Sequence, residues 1–468
     1  MAYIYGERSQ TQLLPSSIED YITADDPVRA YDAFIEQVDV NRLGIRLDPD
    51  QVGHPEFDPR AMLKLLVYGY SYGVRSSRKL ERATHHNLSF IWLTGGLKPD
   101  HKTIARFRRD HRDALKNLLK QCVHLCIRLE LIEGNTLFVD GTTIRANASI
   151  KNVWTSERCQ KTLDEIDQRI ESLLKECDHT DQTEEDQPSL VKLRQDLQNQ
   201  SQLKNKIQDI LQELTQTDKT ATNTTDPESN QFRKGGPAEA AYNCQIVVDD
   251  MHGLIVQNDV TSENNDARQL GPQLEAAHGT LGKPCQTACA DAGYTSPEDL
   301  KKLLDQGVDV IVPVTRHSDF RDYFAYDAKT DSYHCPEGHL LNYIGDHKNA
   351  RSRMYGIKDA SLCLRCPRFG TCTTSKQGRR VERPYSEPIR ERLEARYQQT
   401  DAQTIARRRK IRVEHPFGHL KHNLGFRSFL LRGLSGVRAE AALATTCFNM
   451  TRMIKLIGIQ PLLARLCL

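Results

Sequence analysis

The sequence contains no long uninterrupted apolar run and does not begin like a secreted protein. Its apolar stretches are too short or too interrupted to cross a bilayer, so we expect no membrane-spanning segment and no membrane partner. The first residues, MAYIYGERSQ, lack the basic region and the apolar core of a secretory signal, which predicts a cytoplasmic protein. The thirteen cysteines are then expected to be reduced thiols, and any close group of them is first a candidate metal site.

A large net charge is also missing, since the formal value is +2 at pH 7, and this value alone does not indicate a nucleic-acid partner. The local balance is uneven. Residues 60–120 contain fourteen Lys and Arg against four Asp and Glu, residues 405–432 contain eight against one, and the opposing acids lie largely in 157–214. Each basic stretch is either a surface for DNA phosphates or an ordinary solvated helix face.

A chain of 468 residues is expected to form roughly two to four domains. Residues 1–130 have a helical pattern: AMLKLLVYGYSYG carries apolar residues at helical spacing, and a further helix begins near His101 with Asp100 as its cap. That helix is predicted to run through TIARFRRDHRDALKNLLKQCVHLCIRL. Its basic face indicates a helix-turn-helix-like contact with DNA, and the alternative is a helical domain without that role.

The rest of the chain has a different pattern, in which short apolar strands alternate with helices. TLFVD is a strand that ends at Asp140, and AYNCQIVVDD and GLIVQNDVT form a hairpin through Met251, His252 and Gly253. A helix, the strand QTACADAGY, the capped helix SPEDLKKLLDQG and the strand VDVIVPV follow. With a last helix around Glu414, this is the element order of an RNase H-like domain.

The fold class is therefore predicted to be α+β: an RNase H-like catalytic core with a helical N-terminal domain and two insertions. The domains are 1–130 (helical, DNA-binding), 131–320 (first part of the core), 321–395 (cysteine-rich) and 396–468 (end of the core). The insertion 151–230 carries leucines and isoleucines at coiled-coil-like spacing and is predicted to be a helical hairpin with its turn at 179–187. The cysteine-rich insertion has little apolar periodicity, so we expect it to need a metal to fold.

Three acids are candidates for a metal-dependent phosphodiester site. Asp140 and Asp291 end strands that are neighbours in an RNase H-like sheet, and Glu414 is the only acid in a strongly basic segment. Two or three carboxylates from different elements suit Mg²⁺, which prefers oxygen ligands and retains waters and substrate oxygens. Alternatively, the two aspartates are turn residues, because a glycine follows each of them within two positions. The alternative for Glu414 is an ion pair with Lys410. On a helix, Lys410, Glu414 and Lys421 would share a face, although Pro416 should kink or restart that helix.

At these residues the sequence resembles the DDE transposases of bacterial insertion sequences, within the four-and-five superfamily and most closely the group numbered eleven eighty-two. The resemblance covers nearly the whole chain. It rests on FDPRAMLKLLVYGYSYGVRSSRKLE, FVDGTTIRANAS, the block DPES, AYNCQIVVDD and LIVQNDVT, then ADAGYTS, and VEHPFGHLKHNLGFRSFLLRG.

The resemblance implies that Asp140, Asp291 and Glu414 bind catalytic Mg²⁺ or Mn²⁺ and that Lys421 contacts DNA near the scissile phosphate. Arg427 is a further candidate for DNA binding. The wider superfamily tends to place Tyr and Arg where this chain has Arg407 and Lys410; Lys410 keeps the positive charge without the bidentate fork. The implied partners are double-stranded DNA, as terminal inverted repeats and target, and a second copy of the chain. The implied reaction is cleavage at the element ends followed by transfer of the freed 3′ hydroxyl.

Four cysteines, Cys335, Cys363, Cys366 and Cys372, lie close together in the sequence of the second insertion. Four thiolates are the number that a tetrahedral structural Zn²⁺ site requires, and no thioredoxin-like context surrounds the CxxC pair. We therefore predict a zinc knuckle, which the family resemblance also favours. Incidental cysteines are the alternative, and the other nine are expected to be small buried hydrophobic residues.

Two other functions remain open from the residues. One is an RNase H-like nuclease that cuts DNA and does not join it. The other is a zinc-containing DNA-binding regulator in which the three acids are structural.

Overall fold

The computed structural model describes residues 17–45, 56–182, 187–217, 221–233, 238–313, 324–347, 349 and 351–466. The chain is a mixed α+β protein that forms two compact units. The first unit contains Met1–Asn265, Gln273–Pro284 and Ile411–Leu468, and the second contains Asp266–Pro272 and Cys285–Lys410. In these described ranges no helix combines the length and the apolar character that crossing a bilayer requires.

The described helices are α1 (Pro27–Gln37), α2 (Pro59–Ser71), α3 (Ser77–His86), α4 (Leu88–Leu93), α5 (His101–Asp110), α6 (Arg112–Arg128), α7 (Ser156–Gln182), α8 (Gln187–Thr217), α9 (Leu270–Leu281), α10 (Pro297–Asp305), α11 (Ala360–Leu364), α12 (Glu387–Tyr397), α13 (Thr400–Gly418), α14 (Gly433–Ile457) and α15 (Ile459–Leu466). Short 3-10 helices lie at Ile18–Tyr21 and Ile150–Asn152.

The described strands are β1 (Thr136–Arg145), β2 (Val153–Thr155), β3 (Ala221–Asn223), β4 (Asn230–Phe232), β5 (Glu239–Asp249), β6 (Ile255–Thr261), β7 (Thr287–Cys289), β8 (Asp309–Ile311), β9 (Ala325–Asp327), β10 (Ser332–His334), β11 (Leu340–His347), β12 (Ser352–Ile357) and β13 (Arg380–Pro384).

The N-terminal part of the first unit is helical, as predicted, and its helices begin at capping aspartates. Asp26 accepts a hydrogen bond from the backbone N–H of Val28 at 2.9 Å, Asp58 from Arg60 at 2.9 Å, and Asp100 from Thr103 at 2.6 Å. Each cap satisfies an N–H that has no partner within its own helix. The cap at Asp100 confirms the start of the predicted helix at His101.

That helix does not continue to residue 128, which corrects the sequence prediction. It ends at Asp110, and α6 begins at Arg112 after a break at His111, whose φ of −108° and ψ of 37° are outside the helical range. The His111 ring lies 4.4 Å from that of Phe107, centroid to centroid. The apolar spacing runs on through both helices, so periodicity alone gave no sign of the break.

Strand β5 is central to the sheet of the first unit and pairs antiparallel with β1, β4 and β6. Ten consecutive residues of β5 are buried, because both faces of the strand are covered. The hairpin of β5 and β6 confirms the sequence prediction, and Gly253 in its turn has a φ of +69° that favours glycine. Helix α14, buried along most of its length, packs on α2, α6 and β6. The Asn449 amide joins α14 to β6 through the N–H and C=O of Ile255, at 2.9 and 2.8 Å.

Helices α7 and α8 form the predicted hairpin within the first unit. Six buried residues make its seam, with Trp154 and Ile170 packed against it: Cys159, Leu163, Ile166, Ile207, Ile210 and Leu214. Lys204 and Asp167 form an ion pair across the seam at 2.6 Å. Part of the turn predicted at 179–187 lies outside the described residues.

The second unit contains the parallel pair β7 and β8, connected through α10, and an antiparallel sheet in the order β13, β12, β11, β10, β9. This sheet packs around a small core of its own. The core residues are Phe324, Tyr333, Leu341, Tyr355 and Val381. The rings of Tyr333 and Tyr355 meet edge to face with centroids 5.1 Å apart, so a few large aromatic residues on short strands replace a long apolar pattern.

Candidate active site and cysteine cluster

Asp140 lies within β1, whereas the sequence pattern predicted that the strand ends there. The alternative that Asp140 is a turn residue is also wrong, because the strand is paired on both sides of it. The strand continues for five residues to Arg145, and Asp140 pairs with Ile246 of β5. Thr142, Thr143 and Ile144 are β-branched and favour an extended backbone, so the strand passes through Gly141 without turning. The Asp140 carboxylate is half-buried, and its Oδ1 accepts the Gly141 N–H at 2.8 Å.

Lys421 lies against the same strand. Its Nζ donates a hydrogen bond to Oγ1 of Thr142 at 2.5 Å. Residues two apart on a strand project from the same face, so Thr142 and Asp140 share a face of β1. The structure therefore places the Lys421 ammonium on the side of the strand from which Asp140 projects.

Glu414 is carried by α13 and is exposed. Among the residues that the structure describes it has no ion pair, so the alternative of a pair with Lys410 is not observed. Lys410 is also an exposed residue of α13, in the second unit.

The helix after Glu414 follows an unexpected path. Pro416 lies inside α13, which continues to Gly418, and a π-helical segment, His419–Asn423, follows. The Leu424 N–H bonds the His419 carbonyl at 3.1 Å, an i to i+5 pattern. Lys421 therefore lies in a π-helical segment, and not on the regular α-helix for which the shared face of Lys410, Glu414 and Lys421 was predicted.

The loop after the π-helical segment is attached to the end of β1. The Arg145 N–H donates to the carbonyl of Arg427 at 3.3 Å, and the Phe429 N–H donates to the carbonyl of Arg145 at 2.9 Å. Arg427 is exposed, and its Nε donates to the Lys421 carbonyl at 3.3 Å. These bonds fix the backbone on both sides of the Lys421 and Arg427 side chains.

A buried polar network, which the sequence did not reveal, holds the same loop from beneath. Glu440 of α14 is 0% exposed; its Oε1 accepts from Arg75 at 2.8 Å and from the Tyr70 hydroxyl at 3.2 Å. Its Oε2 accepts the backbone N–H groups of Leu430 and Leu431 at 2.8 and 3.1 Å. Arg75 also donates to the carbonyls of 425 and 428 at 2.7 and 2.6 Å. A lone acid in the apolar stretch AEAALATTCFNM was the available signal.

The DPES motif supports α14 at its first turn. Asp226 accepts the Tyr242 hydroxyl at 2.7 Å and the Gly433 N–H at 3.1 Å, and Glu228 accepts the Leu434 N–H at 2.7 Å. Carboxylates at a helix N-terminus satisfy unpaired N–H groups and complement the helix dipole. These two acids are therefore structural in the described chain.

Asp291 belongs to the second unit and follows β7 by two residues. Its Oδ1 accepts the Gly293 N–H at 2.8 Å, the local turn that the alternative interpretation predicted. This turn uses Oδ1 of Asp291, and Oδ2 takes no part in the bond.

The four cysteines of the second insertion come together in space. Burial raises the pKa of the Cys372 thiol, Arg379 opposes this, and the neighbouring thiols of Cys363, Cys366 and Cys335 raise the pKa further. All four are free and half-buried, whereas other described cysteines are buried: Cys122, Cys126, Cys159, Cys244, Cys285, Cys289 and Cys447.

Backbone N–H groups point at three of the sulfur atoms. They come from His339 to Cys335 at 3.3 Å, from Arg368 to Cys366 at 3.4 Å and from Arg379 to Cys363 at 3.4 Å. Such donors stabilise negative charge on sulfur, as a metal-bound thiolate requires. Within the described ranges, however, no group of three or more His, Cys, Asp or Glu side chains is arranged to hold a metal ion.

Comparison with protein families gives two matches. Residues 16–110 match a family described as Transposase domain (DUF772), and residues 334–454 match one described as Transposase DDE domain. The two matches indicate a DDE-type transposase. Neither curated proteins nor solved structures give a match. The second match spans Glu414, Lys421 and the four clustered cysteines; Asp140 and Asp291 lie outside it.

A DDE transposase normally uses a divalent metal ion, and the three acids suit it by donor type. Carboxylate oxygens are the hard ligands that Mg²⁺ prefers. Glu414 is exposed, Oδ1 of Asp140 accepts the Gly141 N–H, and Oδ1 of Asp291 accepts the Gly293 N–H. Each of the three positions therefore carries the oxygen donor type that such an ion prefers.

Proposed function

We propose that this chain is the transposase of an insertion sequence of the group numbered eleven eighty-two, which cuts DNA at the element ends and joins them to target DNA. The observation that carries the proposal is the match to a transposase DDE domain around Glu414, together with the contact of Lys421 with the Asp140 strand. In this proposal β1, the β5–β6 hairpin and the elements around Asp291 and Glu414 form an RNase H-like core, into which the α7–α8 hairpin and the cysteine-rich unit are inserted.

Asp140, Asp291 and Glu414 would hold the catalytic Mg²⁺ or Mn²⁺. When bound, such ions activate a water or hydroxyl and neutralise charge on the leaving oxygen. Lys421, fixed through Thr142, contributes a positive charge beside Asp140 and favours a phosphate there. Lys410 and Arg427, both exposed, contact the DNA backbone on either side of Glu414 along the chain.

End recognition is assigned to the N-terminal helices. Lys102, Arg106 and Arg109 of α5 are exposed, and the spacing of three to four residues puts them on one helix face. Helix α3 packs on α5 and adds three exposed cations, Arg78, Lys79 and Arg82. Because two ends must be joined, the working complex contains at least two copies of the chain.

A joining assay separates this function from its alternatives. The DNA flanking the gene supplies the inverted repeats for a duplex substrate, and a scrambled duplex is the control. With Mg²⁺ and a target plasmid, we expect cleavage at the repeat ends and covalent insertion of the ends into the plasmid. Cleavage without joined product would favour a nuclease, and repeat-specific binding without any cleavage would favour a regulator.

We also propose that Cys335, Cys363, Cys366 and Cys372 hold one structural Zn²⁺. Four thiols suit a tetrahedral site, and three already accept backbone N–H groups. Soft thiolates and hard carboxylates would keep the zinc and the magnesium apart. The aromatic core against which Cys335 and Cys372 pack gives the site a fixed support.

Protein purified without added metals or chelators is expected to contain about one zinc per chain, the stoichiometry of a single four-ligand site. Replacing Cys363 and Cys366 with Ser should remove it and lower the thermal stability of the cysteine-rich unit. The matched control is Cys285→Ala, a buried cysteine outside the cluster, which should keep its zinc. A zinc content near zero in the parental protein, or full zinc in the double variant, would refute the assignment.

A further inference from the structure

A cleft in the first unit is lined by basic residues that the proposed active site does not use. It has a volume of about 490 Å³ and lies between the loop after α1 and the side of α6. Besides Gln37 and Asp39, its polar and basic lining residues are Arg42, Asn117, Lys120, Gln121, His124 and Arg128. Five of these lie on α6 at spacings of one to four residues, which makes one stripe along the helix.

The walls of the cleft are held together by reciprocal hydrogen bonds. The Asp39 N–H donates to Oε1 of Gln121 at 2.9 Å, and Nε2 of Gln121 donates to the Asp39 carbonyl at 2.9 Å. The loop is anchored from below by Leu43 and Ile45, which are buried. A freely solvated helix face would have no such opposing wall, so the cleft is a preformed concavity.

The cations of the cleft are poorly neutralised. Lys120 and Arg128 are exposed, and neither forms an ion pair with any residue that the structure describes. Asp39 is the only acid among the described lining residues, and it contacts Arg42 at 3.3 Å. Nε2 of His124 lies 3.0 Å from the carbonyl of Thr280, which fixes the imidazole ring at the cleft.

The charges form a line rather than a cluster around one point. Lys120 and Arg128 carry the positive charges and lie two helical turns apart, about 12 Å, with the polar ring of His124 one turn from each. Along about 12 Å of the duplex axis, one strand of DNA carries roughly three to four phosphates. A single small anion would need donors that converge, whereas an extended polyanion matches this row.

We propose that the α6 cleft, defined by the six residues named above, binds the phosphodiester backbone of duplex DNA as a contact separate from Asp140 and Lys421. The proposal rests on the proposed function, since it assigns a second contact for the same DNA partner. Backbone contacts carry no sequence information, so the cleft adds affinity and orientation for any sequence.

The test compares Lys120→Ala and Arg128→Ala with Lys161→Ala in the full-length protein. Lys161 is exposed on α7, outside the cleft and the proposed active site, so it controls for the loss of one positive charge. Duplex binding is measured without Mg²⁺ over a range of NaCl concentrations. Each cleft substitution should reduce the slope of log K against log salt by about one, on repeat and scrambled DNA alike, and Lys161→Ala should leave it unchanged.

The outcomes separate the two proposals. If the parental protein does not bind duplex DNA, the proposed function and the cleft proposal both fail. If it binds and all three variants keep the parental slope, or if Lys161→Ala reduces the slope equally, only the cleft proposal is overturned. Inorganic phosphate is added at matched ionic strength as a further arm. Displacement of DNA by phosphate beyond that caused by NaCl, in the parental protein and not in Lys120→Ala, would reassign the cleft to a small anion.

Discussion

Replacing Asp140 by Asn, Asp291 by Asn or Glu414 by Gln is expected to abolish Mg²⁺-dependent cleavage while DNA binding is retained. Each change keeps the shape of the side chain and removes the negative charge that a divalent ion needs. Loss of one group that stabilises developing charge typically costs about 100- to 1,000-fold, so we expect about 1% of the parental rate or less. End-labelled duplex carrying the inverted repeats measures cleavage, and a mobility shift without Mg²⁺ measures binding.

The controls for this experiment are Asp164→Asn and Glu165→Gln, two exposed acids of α7. They remove the same charge from a part of the first unit that has no proposed catalytic role, and both should cleave at the parental rate. Cleavage near the parental rate by any of the three candidate variants would remove that residue from the metal site. For Asp291 that outcome would support the turn role that its bond with the Gly293 N–H already gives it.

Replacing Glu440 by Ala is expected to lower the free energy of unfolding by about 3–5 kcal/mol. The change leaves Arg75, whose side chain is 9% exposed, without its counter-charge in the protein interior, and breaking a buried pair in this way has that cost. The N–H groups of Leu430 and Leu431 also lose their acceptor. Urea unfolding followed by circular dichroism measures the effect.

Glu440→Gln serves as a milder variant if the alanine variant does not fold, because it keeps the volume and one oxygen acceptor. The matched control, Glu165→Gln, should change the free energy of unfolding by less than about 0.5 kcal/mol, as surface substitutions usually do. A loss below about 1 kcal/mol for Glu440→Ala would contradict the role assigned to the network. Since the network holds the loop after Lys421, a folded Glu440→Gln is also expected to cleave DNA more slowly.

Local features of the fold were predictable from the sequence because their causes lie within a few residues. The cap at Asp100, the turn at Gly253 and the apolar seam of the α7–α8 hairpin each depend on side chains close in the chain or on a simple period. The same reasoning failed at His111 and Asp140. An apolar period cannot register a single non-helical residue, and glycine after an acid is equally compatible with a turn and with a paired strand.

The amino-acid sequence by itself determined the α+β class, the capped helices, the β5–β6 hairpin and the choice of candidate acids and cysteines. Only the tertiary structure placed Lys421 beside Thr142, 279 residues apart, and Arg75 beside Glu440, 365 residues apart. It also showed the π-helical segment that contains Lys421, and the reciprocal bonds between the walls of the α6 cleft. The physical reason is that burial and pairing of such groups depend on how distant elements pack, and neither residue of such a pair has a local pattern that identifies its partner.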